Sequence, residues 1–170
     1  SVSKGYYCTI EGNVVLDQQF LDQVEARMHQ MVEADLPINK KSVNTDDAIA
    51  TFARYGMHDK EKLFAYRRVS KVNIYSINEF EDYYYGYMVP STGYLKYFKL
   101  YLYDDGFVLQ MPEQKEPEIV PPFEPQNKLF HVLKESTSWG DMQGIETVGA
   151  LNDRITKGDV RETVLVQEAL

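Results

Sequence analysis

The chain has 170 residues, 44% hydrophobic and 26% charged, the make-up of a globular protein long enough to bury a core. Its net charge of -8 sets the average surface against a nucleic-acid backbone, so any such binding needs a local basic face. No apolar run approaches the roughly 18 residues that cross a bilayer, no signal peptide opens the chain, and the single cysteine excludes an internal disulfide; the expectation is a cytoplasmic protein with no membrane partner.

In chain order, residues 6–15 (YYCTIEGNVV) read as a short strand with a turn at Gly12-Asn13. From Asp17 to Asp35 the apolar residues Phe20, Leu21, Val24, Met28, Met31 and Val32 recur at threes and fours. Asp17 suits an N-cap and Pro37 stops the pattern, so the stretch predicts an amphipathic helix. Residues 38–43 read as a brief extended piece. Thr45 or Asp46 then caps a second helix carrying Ala48, Ile49, Phe52 and Ala53 and closing at Gly56. Residues 59–66 add one or two helical turns.

Strand patterns follow. KVNIYSI (71–77) is β-branched and aromatic throughout. In YLKYFKLYLY (94–103), Phe98, Leu100 and Leu102 take one parity, and Tyr97, Lys99, Tyr101 and Tyr103 the other. Asp104-Asp105-Gly106 reads as a hairpin turn and residues 107–111 as the returning strand. The fold class is therefore α+β, an antiparallel sheet packed with two helices over residues 1–111. Five of the seven prolines fall between Pro112 and Pro125, which marks residues 112–126 as a Pro/Glu-rich linker. Residues 127–170 form a helical extension: one helix ending at Trp139-Gly140, another over 147–157 stopped by Gly158, and a last one from about Asp159. The last shows no terminating cap, which creates the expectation of a longer parent chain.

Several constellations invite chemistry and fall short of it. Cys8 sits in a strand pattern, with His29, His58 and His131 in unrelated elements, and reads as a structural thiol. Glu25, His29 and Glu33 share one helix face that is also the solvent face. Gly144 to Gly149 has the glycine spacing of a phosphate loop, but Ala150-Leu151 stand where lysine and serine or threonine are needed. Lys60, Lys62, Arg67, Arg68 and Lys71 form a basic cluster that pairs locally with Asp59 and Glu61 or tracks a nucleic-acid backbone. Seven of the thirteen tyrosines lie from Tyr75 to Tyr97, and Tyr83, Tyr84 and Tyr85 alternate faces if extended, so they cannot share one core. Pro90-Ser91-Thr92-Gly93 reads as a turn whose hydroxyls cap backbone amides.

Two segments carry a family resemblance. MVEADLPINKKSVNTDDAIATFARYG resembles the part of threonyl-tRNA synthetases where a helix ends in an acidic-Leu-Pro-Ile turn before a second helix. DYYYGYMVPSTGYLKYFKL resembles their signature Asp-Leu-Cys-Arg-Gly-Pro-His-x-Pro-Ser-Thr-Gly and the strand after it. The resemblance spans about residues 6–111, on Leu36-Pro37-Ile38, Asp82, Gly86 and Val89 to Gly93, and implies the second additional domain, which edits mischarged tRNA. Tyr84 stands where the signature has cysteine and Met88 where it has histidine, and the family's His-x-x-x-His segment would precede Ser1. The resemblance therefore implies an editing site without its chemistry, with no catalytic residue and no metal.

EKLFAYRRVSKVNIYSI, the tyrosine-rich Pro-Ser-Thr-Gly segment and WGDMQGIETVGALNDRITKG are similar to the N-terminal half of bacterial uridine kinase-like proteins. That similarity implies a recognition or regulatory region whose partner is its own C-terminal P-loop kinase domain, an ATP-dependent transferase. ATP and Mg are expected only in that domain, and this chain is expected to hold no cofactor. The binding residues so implied are Tyr83, Tyr84, Tyr85, Tyr87, Met88, Ser91 and Thr92, with Arg67, Arg68 and Lys71 as charge, for a nucleoside or a tRNA 3′ end. Two alternatives stand beside it: an editing hydrolase using Asp82, Ser91 or Thr92, and a scaffold that packs on the kinase or forms a homodimer.

Overall fold

The computed structural model describes residues 4–169. In chain order the elements are β1 (Gly5–Cys8), α1 (Gln18–Glu33), β2 (Asn39–Asn44), α2 (Thr45–Arg54), α3 (His58–Ala65), β3 (Lys71–Ile77), β4 (Phe80–Tyr83), β5 (Lys99–Tyr103), β6 (Gly106–Gln110), α4 (Asn127–Met142), α5 (Val148–Lys157) and α6 (Val160–Ala169), with a 3-10 turn at Thr92–Tyr94. The class is α+β, with two antiparallel three-stranded sheets in the orders β1-β6-β5 and β2-β3-β4. The chain forms two compact units, residues 1–38 with 88–131 and residues 39–87 with 132–170. No helix among the described residues is long and apolar enough to cross a membrane.

In the first unit, β1 runs antiparallel to β6 from Gly5 opposite Gln110 to Cys8 opposite Phe107. β5 and β6 close across the expected turn, Tyr103 opposite Gly106, with Asp104 at φ 53, a conformation short polar side chains tolerate. Helix α1 begins where the Asp17 carboxylate accepts the Phe20 N–H at 2.8 Å, the cap its sequence promises. Leu21, Phe98, Leu100 and Val108 are buried. Glu25 ties helix to sheet, accepting the Leu100 N–H at 2.8 Å and Lys99 Nζ at 2.6 Å.

The other face of β5 carries an aromatic stack. Tyr103 meets Phe130 at 4.7 Å and Phe123 at 5.3 Å between centroids, Tyr101 stacks on Phe123 at 5.4 Å, and Tyr7 meets Phe130 edge-on at 4.8 Å. The Pro-rich stretch holds no strand or α-helix, yet it places Phe123 on the sheet.

In the second unit, register pairs Val43 with Val72, Lys41 with Ile74, and Ile74 with Tyr83. Directly paired residues share a face, so Val72, Ile74 and Tyr83 face α2 and α3, and Tyr75 faces the other way. Ala48, Phe52, Phe64, Val72 and Ile74 form the core cluster, with Tyr83 packed against it. Helix α5 lies close on α3 through Gly149, where a Cβ would come within 2.8 Å of Lys62 Cβ and 2.9 Å of the Leu63 nitrogen. That glycine of the phosphate-loop-like spacing thus serves helix packing.

Local expectations needed five corrections. Helix α2 starts at Thr45 with Asn44, not Thr45 or Asp46, in the N-cap position, and the Thr45 hydroxyl instead donates to the Val69 carbonyl. The first strand ends at Cys8 rather than 15, and Gly12 at φ 102 bends the chain after it. Residues 94–98 are not strand: the 3-10 turn uses Tyr94, and pairing starts at Lys99. Strand β4 was not foreseen as a separate element; it pairs with β3 across Asn78, at φ 52, and Glu79. Helix α4 runs through Trp139-Gly140 to Met142, since one glycine costs a helix only about 1 kcal/mol.

Candidate functional site

The tyrosine segment leaves β4 and divides around two cations. Arg67 follows α3 and donates from Nη1 to the Tyr83 hydroxyl at 2.5 Å. Its guanidinium carbon lies 5.2 Å from the ring centroids of Phe64 and Tyr83 and 6.0 Å from that of Tyr85. Tyr83 in turn meets Phe64 edge-on at 4.7 Å. Guanidinium over ring faces is favourable by roughly 0.5–2 kcal/mol per pair, so Arg67 is held in a fixed aromatic seat. Tyr85 caps that seat and is 83% exposed, which leaves most of its ring open.

The second cluster lies on the opposite face of β3. Lys40 Nζ sits 5.8 Å from the Tyr75 centroid and 5.1 Å from that of Tyr87. Tyr75 is buried, and its hydroxyl donates to the Gly86 carbonyl at 2.9 Å, which fixes the loop through Tyr84–Tyr87. Tyr84 meets Tyr75 edge-on at 6.4 Å and is 51% exposed; Tyr87 is 91% exposed. The alternation expected of Tyr83 and Tyr84 is thereby realised, one ring on the core side and one on the other.

The remaining cations of the sequence cluster split by partner. Lys60 is paired with Asp82, which also accepts the Tyr83 N–H at 2.6 Å. Arg68 and Lys71 are exposed and hold no ion pair among the described residues. Lys40, Phe64 and Tyr75 were not singled out from sequence. The 71–77 alternation could have put Tyr75 opposite Ile74, but the register that brings Lys40 to it depends on strand pairing.

Met88, Ser91 and Thr92 belong to the first unit. Met88 is 40% exposed. The Pro90–Gly93 turn is clamped onto the chain leaving α1. The Ile38 N–H donates to the Pro90 carbonyl at 2.8 Å and the Thr92 N–H to the Leu36 carbonyl at 2.9 Å. Thr92, buried at 4% exposure, accepts the Leu36 N–H at 2.8 Å and donates its hydroxyl to the Met31 carbonyl. Ser91 donates to Asp35, whose Oδ1 also takes the Gly93 N–H at 3.0 Å. The turn hydroxyls thus cap backbone groups, as the sequence pattern suggests. Leu36-Pro37-Ile38 and Pro90 to Gly93, two of the anchors of the resemblance, are hydrogen-bonded to each other.

The groups considered for catalysis are likewise committed. Asp82, Ser91 and Thr92 each hold the partners just described. Burial pushes the Cys8 thiol up from its ordinary value, and its S–H points to the Tyr6 carbonyl at 3.6 Å. Glu25 is tied to Lys99 and Leu100, and His29 stacks on Phe98 at 4.4 Å. Among the described residues no group of three or more histidine, cysteine or acidic side chains could hold a metal ion.

No family model matches the chain. It is 38% identical over 100 residues to threonine–tRNA ligase 1 of Bacillus subtilis (strain 168), covering 58% of this chain and 16% of that protein. Over 95 residues it is 37% identical to the threonine–tRNA ligase of Syntrophotalea carbinolica, covering 56% of this chain and 14% of that one. The ligase of Bacillus velezensis is 39% identical over 100 residues, with 58% and 16% covered. Over that stretch the chain is threonyl-tRNA synthetase-like. It spans 14–16% of the length of these relatives.

Proposed function

We propose that this chain is a recognition domain without catalysis, derived from the editing region of threonyl-tRNA synthetases and carried by a uridine kinase-like protein. The observation that supports it most directly is the identity of positions 84 and 88. Tyr84 and Met88 stand where the resemblance places cysteine and histidine, and a phenol and a thioether supply neither thiolate nor imidazole for activating water or holding a metal. On this reading the binding residues form two patches, Tyr83 and Tyr85 with Arg67 on one face of β3 and Tyr84 and Tyr87 with Lys40 on the other, with Arg68 and Lys71 as further charge. Their open rings suit stacking of a base, from a nucleoside or a tRNA 3′ end, at roughly 1–3 kcal/mol per base. The Pro-Ser-Thr-Gly turn, with Met88 beside it, supplies the inherited frame. The link to a kinase partner using ATP and Mg rests on the similarity of residues 61–77 and 139–158.

The test is a deacylation assay with mischarged tRNA, run beside a binding screen of nucleosides and tRNA at two salt concentrations. The expected result is no deacylation, with binding that weakens in Tyr85→Ala and Arg67→Ala. Deacylation that disappears on changing Asp82, Ser91 or Thr92 overturns the reading in favour of a hydrolase. No binding of any probe overturns it in favour of a scaffold.

A further inference from the structure

Helix α4 buries a single residue, Phe130, and residues 131–138 are all exposed, around more than two full turns. Most of a helix's stability comes from packing an amphipathic face, and a helix of this length is marginal by itself in water. Ser136, Thr137, Ser138 and Gly140 are weak helix formers besides. Even so, one side of α4 is apolar. Leu129, Val132 and Leu133 have the spacing of neighbours on one helix face and are 41–56% exposed.

The charges beside this stripe say what fits it. Lys128 and Glu135 are seven residues apart, which turns a helix by about 700°, nearly two full turns, so both border the stripe on the same side. Neither holds an ion pair among the described residues. A second α4 laid antiparallel, with a two-fold axis midway between His131 and Val132, sets each Lys128 beside the other copy's Glu135. In that register Leu129, Val132 and Leu133 of the two copies interleave across the axis, the self-complementary contact a two-fold requires. A parallel pair in register would instead oppose lysine to lysine and glutamate to glutamate, which repels.

From this self-complementarity we infer that α4 is a homodimer interface, on which a second copy of the chain packs antiparallel along the Leu129–Val132–Leu133 stripe. Two Lys128–Glu135 ion pairs close its ends. Two to three turns of helix present less than the roughly 800 Å² per partner of a standard interface, so the dimer is weak, with a Kd on the order of 10–100 µM. The register uses only the geometry of one continuous helix. It involves no residue of the tyrosine patches, so the dimer and the recognition reading can fail separately.

The test is sedimentation velocity on the 170-residue chain over concentrations that bracket this constant. A monomer–dimer equilibrium is expected, abolished by Leu133→Asp. Lys128→Glu is expected to weaken it about five- to thirty-fold, because two attractive pairs per dimer become two repulsive ones. Adding Glu135→Lys restores the pairs in reverse and is expected to return the constant to within about three-fold of the parent's. Glu146→Gln, an exposed acid outside α4, is expected to leave it unchanged. A chain that stays monomeric throughout overturns the inference and makes the stripe the seat of a different partner or a solvated rod. A dimer that survives Leu133→Asp, or a charge reversal that Glu135→Lys does not rescue, overturns it as well. A thermal melt shows that each variant is folded, and the exposed Lys128 and Glu135 variants keep the test decisive if Leu133→Asp is not.

Discussion

Replacing Thr92 by valine removes one hydroxyl and keeps the shape of the side chain. That hydroxyl accepts the Leu36 N–H at 2.8 Å and gives its proton to the Met31 carbonyl, one of the carbonyls that the last turn of α1 cannot satisfy internally. Thr92 is 4% exposed, so water does not readily take over either bond. Each unmet buried group costs roughly 1–3 kcal/mol, and because Leu36 is only half-buried the lower half of that range applies, about 2–4 kcal/mol together. Thr92→Ser keeps both bonds and loses one methyl, about 1 kcal/mol. Urea unfolding followed by circular dichroism reads the difference as a lower midpoint at unchanged slope. In a thermal melt the valine variant is expected to lose roughly 5–15 °C, at a few degrees per kcal/mol for a chain of this size. A valine variant within about 0.5 kcal/mol of the parent, or a serine variant as costly as valine, refutes the clamp as a stabilising device. A loss of ligand affinity without loss of stability would instead make Thr92 a binding residue.

Gly93→Ala is expected to destabilise by roughly 1–3 kcal/mol, because its methyl would displace Asp35 from the turn, and an unchanged urea midpoint would contradict that geometry. Cys8 should alkylate slowly with iodoacetamide at pH 8 and faster once urea unfolds the chain, since burial holds its thiol protonated. The sign follows: a folded value above the unfolded one leaves stability intact below the unfolded thiol's pKa of about 8.5 and removes it as pH rises through the folded one, and a rise in stability there would refute the burial. Arg67→Ala and Tyr83→Phe should be non-additive by about 0.5–1.5 kcal/mol in a double-mutant cycle, and additive losses would mean the Arg67–Tyr83 bond carries no energy.

What could be read in advance was local. Asp17 caps α1 because a short carboxylate reaches its own third amide, and Asp104-Asp105-Gly106 turns because short polar residues accept positive φ. The two-sheet arrangement could not be read, because β1 pairs with β6 about a hundred residues away while β3 pairs with its sequence neighbours. The start of β5 was missed for a related reason. Tyr94 and Tyr97 have strand propensity, but the Thr92 hydroxyl, bonded to the Met31 carbonyl of α1, holds the chain in a 3-10 turn. Of the proposed binding residues, Tyr83 to Tyr87 and Arg67 were legible as a tyrosine run near a basic cluster. Lys40 was not, since only strand register brings it beneath Tyr87.

The turn and positions 84 and 88 are under different physical constraints. Thr92, Gly93 and Leu36 to Ile38 are bound to one another through backbone and buried hydroxyl, so a change there is felt as stability whatever the chain binds. Tyr84 and Met88 are 51% and 40% exposed, and neither side chain anchors the fold by a hydrogen bond among the described residues. Substitutions at such positions typically fall within about 0.5 kcal/mol, far below the 2–4 kcal/mol worked out for Thr92. A chain released from editing chemistry would therefore keep Pro-Ser-Thr-Gly, which the fold needs, and be free to change cysteine and histidine, which only the chemistry needed. That difference in cost explains how the nineteen-residue segment 82–100 can resemble an editing site at its turn and differ from one at positions 84 and 88.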